Sequence, residues 1–171
     1  MATLAGKKII SVDEMSQEID LKRYLGRAPT ASEKRLFAEI AIEQINNRTL
    51  DGKTINGGKF KKYSKKYAEF KGVTRDSVDL FLEGDMLDSL GAEENGNKVK
   101  ILIDNDLETK KGYNHHIGDT LPKRPWFGIT TDEARAIANT IKEDVQVQEK
   151  KSFTLSDLQD ALKLLGLEQI E

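Results

Sequence analysis

The sequence predicts an α+β fold in which a long amphipathic helix packs on an antiparallel β-sheet, with a second flanking helix and an appended C-terminal helix. Three features lead to this prediction: helix-start patterns followed by apolar stripes, alternating segments typical of half-buried strands, and a turn sequence typical of a β-hairpin. Helices and strands come in runs rather than in strict alternation, which favours α+β over a parallel sheet. With 171 residues, 37% of them hydrophobic, the chain can bury one modest core.

The chain divides into three predicted parts. Residues 1–29 are expected to form an N-terminal arm, because Gly26 and Pro29 interrupt the chain before the first long helix. Residues 30–148 are expected to form the α+β domain, and residues 149–171, which begin with a polar break, a helical appendage. The N-terminus has only a two-residue apolar run, so neither a signal peptide nor a membrane span is expected.

The N-terminal arm is expected to contain a short helix. Ser11 and Glu14 have the spacing of a capping box, in which each side chain bonds the backbone of the other residue. Val12, Met15 and Ile19 then follow at helical spacing.

A long helix is expected to begin after Thr30, which forms a second capping box with Glu33 and opens about 18 residues of helical pattern. Apolar residues recur along one stripe, as in a helix laid on a sheet. Phe37 and Ile40 are the predicted core anchors of this stripe. Its members are Leu36, Phe37, Ile40, Ala41 and Ile45.

A shorter helix is expected from Ser64 to Lys71. Tyr63, Tyr67 and Phe70 recur at helical spacing, with lysines on the other side. The favoured interpretation places these rings inward, with Tyr63 and Tyr67 as core anchors. The alternative is an aromatic surface that stacks on single-stranded nucleic acid while the lysines bind phosphates.

Two alternating segments, residues 78–83 and residues 98–104, predict half-buried strands. Residues 94–97 have the composition of a hairpin turn, which would make the flanking strands antiparallel. A helix is then expected over residues 107–117, ending at Gly118.

A proline-rich run follows this helix and holds the only tryptophan of the chain. Pro122 and Pro125 fix φ and disfavour helix, so an extended segment and a strand over residues 126–129 are expected. The run supplies four predicted site residues: the core anchors Trp126 and Phe127, and the outward-facing partner contacts Lys123 and Arg124.

Two more helices are expected after the proline-rich run. Thr130 and Glu133 form a third capping box, and apolar residues from 134 to 145 share one face. Thr154 and Asp157 cap a last helix, which could dock on its own domain or on a neighbouring subunit. The predicted interface stripe of this helix is Leu155, Leu158, Leu162 and Leu165.

The charges of the chain are unevenly distributed. Between Arg48 and Arg75, nine bases against two acids give a local charge of +7, so the remaining chain carries −9 to reach the net −2. Such a chain can attract a polyanion, or it can join its own copies by matching a basic face to an acidic one. The alternative is a solvated lysine-rich surface. The predicted interface lysines are Lys61, Lys62, Lys65 and Lys66.

Several kinds of chemistry are not expected. The chain has no cysteine, which removes disulfides and thiolate sites. His115 and His116 are adjacent, so on a helix they point in different directions and do not chelate one metal. No nucleophile, base and orienting group assemble in the sequence. We therefore predict no enzyme, no cofactor and no metal.

Five motifs occur in a particular order. They are residues 48–53 (RTLDGK), 63–68 (YSKKYA), 78–90 (VDLFLEGDMLDSL), 115–118 (HHIG) and 122–130 (PKRPWFGIT). The ordered set, over residues 30–145, resembles the virion morphogenesis, or tail-completion, proteins of Mu-like and related tailed bacteriophages.

The resemblance implies a structural subunit of the virion at the head–tail junction or tail end, assembled in the host cytoplasm and not at a membrane. It implies a closed, sixfold ring that caps the tail tube, docks neck or connector proteins, and lets DNA pass through its lumen without sequence-specific binding. The alternative function is a nucleic-acid-binding module that uses the basic segment from Lys59 to Lys71.

Overall fold

The computed structural model describes residues 3–81, 84–119 and 121–145 of the chain. The predicted α+β class, with a long helix on an antiparallel sheet, is confirmed. The described elements are β1 (Lys7–Ile10), β2 (Met15–Asp20), α1 (Lys22–Leu25), α2 (Ala31–Leu50), α3 (Lys65–Lys71), α4 (Asp85–Asp88), β3 (Leu90–Asn95), β4 (Lys98–Ile103), α5 (Asp106–Ile117) and α6, which is helical over residues 131–145.

The sheet has four strands in the order β1-β2-β4-β3, and all neighbours are antiparallel. The predicted hairpin is confirmed, because β3 and β4 pair around Gly96, with Asn95 opposite Lys98. The strand predicted over residues 98–104 is confirmed as β4, whose alternate residues are buried.

The predicted short N-terminal helix is wrong, because this segment forms the β1–β2 hairpin. The Ser11 hydroxyl accepts a hydrogen bond from Glu14 N (2.9 Å) and donates one to Glu14 O (3.2 Å). The same residue spacing that caps a helix thus closes the turn between two strands. The described residues of the predicted arm, 3–29, supply a central strand of the sheet and belong to the fold.

One face of the sheet is buried and the other carries charged pairs. Val99, Ile101 and Ile103 of β4 are buried, and α2 and α5 both contact this strand. On the opposite face, Lys98 of β4 pairs with Glu18 of β2 at 2.7 Å and Lys100 pairs with Glu14 at 3.2 Å. Antiparallel sheets commonly have this arrangement, with one face on the core and one in water.

The long helix α2 begins as the sequence predicts, with both hydrogen bonds of the Thr30–Glu33 capping box present. Phe37 is fully buried, which confirms it as a core anchor. Ile40 is only partly buried at the edge of the core. The buried stripe lies to one side of the predicted one because it runs through Phe37, Ala38, Ala41, Ile45 and Thr49.

The predicted end of α5 and the predicted start of α6 are also confirmed. Helix α5 ends at Gly118, whose φ of 83° is favourable for glycine. Helix α6 begins with the capping box of Thr130 and Glu133. It runs antiparallel to α2, since Glu133 pairs with Arg48 and Lys142 donates to Tyr24 O (2.8 Å), beyond the other end of α2.

The strand predicted over residues 78–83 is wrong for the described residues 78–81, which form no ladder. Leu80 has a φ of 53°, in the left-handed region where a strand cannot continue. Val78 and Leu80 are nevertheless buried, so the apolar alternation marks a core-facing loop.

Candidate functional site

The proline-rich run lies at the centre of the molecule. Trp126 and Phe127 are fully buried, which confirms both as core anchors, and their rings meet edge to face at 5.7 Å between centroids. The Trp126 indole N–H donates to Gly112 O on α5 (3.1 Å). A Cβ on Gly112 would lie 2.8 Å from Ile103 Cδ1 and 3.1 Å from Trp126 Cζ2, so a larger residue here would push these side chains apart.

The strand predicted over residues 126–129 is wrong, because these residues join no ladder and side chains supply most of their backbone hydrogen bonds. The Gln17 amide group accepts from Ile129 N (2.6 Å) and donates to Ile129 O (2.8 Å) and Ala5 O (2.5 Å). Gln17 is fully buried in β2. Its side chain therefore satisfies the backbone groups that a neighbouring strand would otherwise satisfy.

Cationic side chains bond the carbonyls of the same run. Arg48 donates to Trp126 O (3.0 Å) and Gly128 O (2.6 Å), and it pairs with Glu133. Lys8 donates to Phe127 O (2.6 Å). Burial, together with the nearby Arg48 charge, lowers the pKa of Lys8 to about 8.

Both adjacent histidines are held in their neutral forms. His116 Nδ1 accepts from Phe127 N (3.3 Å). Burial, with the charges of Lys8 and Lys123, lowers the pKa of His116 to about 3. Burial and the charge of Arg124 lower the pKa of His115 to about 4.

Arg124 is buried, so its predicted role as a surface contact is wrong. Its guanidinium donates to Lys61 O (2.9 Å) and Lys62 O (3.3 Å) and lies 5.2 Å from the centre of the Tyr63 ring. Carbonyls and an aromatic face stabilise a buried guanidinium. Arg124 thus fixes the backbone of the basic segment, whereas its neighbour Lys123 is exposed as expected.

The aromatic residues near α3 only partly follow the prediction. Tyr63 is buried, which confirms it as a core anchor, but Tyr67 is 36% exposed and Phe70 is 75% exposed. Helix α3 has seven residues and buries only Ala68, because it lies at the edge of the fold. The rings form a row that leads outward from the core, with centroid distances of 4.8 Å and 6.3 Å.

Some of the bases in the basic segment are internal. The side chain of Lys71 is 8% exposed and pairs with Asp79, which also accepts from the Tyr63 hydroxyl (3.2 Å). Burial disfavours the charge of Lys71, but Asp79 and Tyr63 outweigh it and raise the pKa of Lys71. The exposed lysines and rings on α3 and just before it are termed the α3 surface: Lys61, Lys62, Lys65, Lys66, Tyr67 and Phe70. Among them, Lys62 pairs with Asp76 (2.7 Å).

A pocket of about 250 Å³ adjoins the α3 surface, between α3, α4 and α5. Tyr67 and Leu121 line it and are each more than a third exposed, so they form its rim. Its volume lies below the range of about 300–1,000 Å³ that is usual for small-molecule sites.

The polar groups of this pocket are Asp85, Glu108, Lys111, Asn114 and His115. Glu108 is buried and accepts from Lys111 through Oε1 (2.6 Å). Within the described residues, Glu108 Oε2 and His115 Nδ1 are buried without a hydrogen-bond partner. The pocket can therefore accept a polar group from a partner as well as an apolar side chain.

Other predicted features lie outside the described residues or are not found within them. The stripe of Leu155, Leu158, Leu162 and Leu165 lies outside the described residues. In the described part of the chain, no cluster of three or more metal-ligating side chains occurs, and no helix has the length and apolar character needed to cross a bilayer.

Comparisons of the chain with protein-family models, with curated proteins and with solved structures found no match.

Sequence reasoning missed the burial of Arg124 within the proline-rich run. It also missed the side chains that hold this run, which come from other parts of the chain and meet only in the folded structure: Lys8, Gln17, Arg48 and His116. It also missed the exposure of Phe70, because the helical spacing of the rings gives their relative positions but not which side faces the core.

Proposed function

We propose that this chain is a structural subunit of a tailed-phage virion, located at the head–tail junction or the tail end. It acts as a tail-terminator, tail-completion or neck protein by closing a ring that docks the tail to the head. The ordered motifs that resemble phage tail-completion proteins support this proposal. It includes a virion location and assembly in the host cytoplasm.

The single observation that carries the proposal is the rigid α3 surface. Arg124 fixes the backbone at Lys61 and Lys62, and the Lys71–Asp79 pair fixes the end of α3. The exposed lysines and rings are therefore presented in one geometry, as a recurring subunit contact requires.

An acidic edge provides a surface of opposite charge. Asp85, Asp88, Asp104 and Asp106 are exposed around α4 and the start of α5, and Asp104 N donates to Ser89 O (2.8 Å). A head-to-tail ring needs two different, complementary surfaces on each copy. In the proposed ring, the basic α3 surface of one copy meets acidic residues of the next.

Nucleic-acid binding through the basic segment is the alternative function. A module that neutralises about six phosphates would bind DNA with a slope near −5 in log K against log salt. We expect only weak, low-salt DNA association from the purified chain. Tight binding at about 0.15 M salt that is lost on replacing Lys61, Lys62, Lys65 and Lys66 would contradict the proposal.

The ring role is tested by restoring infectivity to particle extracts that lack this protein. Lys65→Gln with Lys66→Gln on α3 should lower the restored titre by weakening subunit contacts. Lys22→Gln with Lys110→Gln is the matched control, because both residues are exposed helical lysines outside the α3 surface. Equal titres from the two variants would contradict a role for this surface in assembly.

A further inference from the structure

The rim of the pocket beside α3 exposes apolar area that the described residues leave uncovered. Phe70 is 75% exposed, Tyr67 is 36% exposed, and Leu121 is 41% exposed. Tyr67 and Leu121 also line the pocket, together with the exposed Asp85 and Lys111, and the Phe70 ring lies next to Tyr67 at 6.3 Å between centroids. Grouped exposed apolar side chains beside a concavity are typical of protein contact sites.

We propose that this rim and pocket receive the leucine stripe of residues 155–165 from a neighbouring copy of the chain. This inference rests on the proposed ring, and it names which parts of two copies meet. The apolar residues of the stripe cover Tyr67, Phe70 and Leu121, and one of its leucines enters the pocket.

Charge and composition favour this segment as the occupant. Residues 153–171 contain four acids and one lysine, a net charge of −3, and six leucines. The α3 surface carries four exposed lysines beside its exposed rings. Opposite net charges draw the two surfaces together, and the apolar contact stabilises the docked state.

The pocket and the end of α6 lie toward opposite ends of the sheet. Leu21 N donates to Asn97 O (3.0 Å), which places α1 beside the start of β4, and Lys142 of α6 donates to Tyr24 O of α1. The α5 wall of the pocket instead crosses the far end of β4, where Gly112 packs. Six residues of β4 span about 20 Å, which sets the scale of the separation.

This separation favours docking of the stripe on a neighbouring copy over docking on its own chain. The ten residue steps from residue 145 to Leu155 span at most about 35 Å when fully extended. Even along a straight line the separation takes up more than half of this reach, and the stretch would have to pass around the fold, so reaching its own pocket costs chain entropy. In a head-to-tail contact, the pocket of the next copy can lie beside the end of α6.

Disulfide cross-linking tests the proposal, because the natural chain has no cysteine. One full-length protein carries Lys66→Cys beside Phe70, and a second carries Gln159→Cys beside the leucine stripe, so the proposed apolar contacts stay intact. After mixing and mild oxidation, the expected product is a dimer that links residue 66 of one copy to residue 159 of the other. Mass spectrometry of the linked peptides identifies it.

Two controls make the cross-link specific. Gln159→Cys mixed with Arg135→Cys on the exposed face of α6 should give little product, because the Arg135 side chain is 60% exposed but distant from the pocket. Adding Phe70→Ser to the Lys66→Cys protein should strongly reduce the product. The Phe70 ring is 75% exposed, so circular dichroism of that protein should be unchanged.

The contrary outcomes are distinct. A single chain carrying both cysteines that cross-links only within itself at high dilution would overturn the proposal, as would no cross-link at all. Rings seen by electron microscopy without the 66–159 link would remove this docking but leave the proposed function. If the 66–159 link forms only in open dimers that never close into rings, the proposed docking is supported and the proposed ring is contradicted.

Discussion

Gln17→Leu tests whether one side chain replaces a missing strand. The substitution removes the partners of Ala5 O and Ile129 N, whereas Ile129 O still accepts from Ala5 N (3.1 Å). Two orphaned buried groups cost about 1–3 kcal/mol each. The buried leucine recovers part of this loss, so the free energy of unfolding should fall by about 2–4 kcal/mol.

Urea unfolding followed by circular dichroism measures this loss, and thermal melting should fall by roughly 5–15 °C. Gln44→Leu on α2 is the matched control, because the buried side-chain oxygen of Gln44 has no hydrogen-bond partner within the described residues. It should change the unfolding free energy by less than about 1 kcal/mol. If both variants unfold alike, Gln17 does not hold the proline-rich run.

Three further predictions concern the same interior. Trp126→Ala should lower the unfolding free energy by about 3–5 kcal/mol, measured by urea unfolding, because the ring is fully buried. Arg124→Met should cost about 2–4 kcal/mol by orphaning two carbonyls, while Lys123→Met, exposed beside it, should cost under about 0.5 kcal/mol. The third prediction concerns the loss of folding stability at low pH. The buried histidines have folded pKa values of about 4 and about 3 against an ordinary 6.5, so the unfolded chain binds protons first as pH falls. The stability they contribute is complete above pH 6.5 and falls below it, by up to about 2 kcal/mol per histidine at pH 5. Melting between pH 7.5 and 5 measures this, and His116→Asn, which does not titrate, should lose about half the pH dependence; equal pH dependence would contradict it.

The helices α2, α3, α5 and α6 were predictable because their determinants are local, whereas the short α1 and α4 were not predicted. The capping boxes of Thr30 with Glu33 and Thr130 with Glu133 each join residues three positions apart, and both form as expected. The spacing of Ser11 and Glu14 is the same, yet it closes a hairpin turn. A capping-box pattern therefore predicts a local bend in the chain, and tertiary pairing decides between helix and turn.

The interior around the proline-rich run was only half predictable. Trp126 and Phe127 are large and apolar, so their burial follows from composition. Arg124 lies between Lys123 and Pro125, and nothing local distinguishes it from its exposed neighbour. Its burial depends on carbonyls near residue 61, about 60 positions away in the sequence. Hydrogen bonds between residues this far apart leave no local pattern in the sequence.

Negative-stain imaging of phage particles made without this protein tests the proposed function most directly. The proposal predicts one of two defects at the head–tail connection. Tailless heads with free tails of irregular length would indicate a tail terminator, and tails of normal length that fail to join heads would indicate a connector. Complete virions with normal tails, formed in normal numbers, would contradict the proposed role.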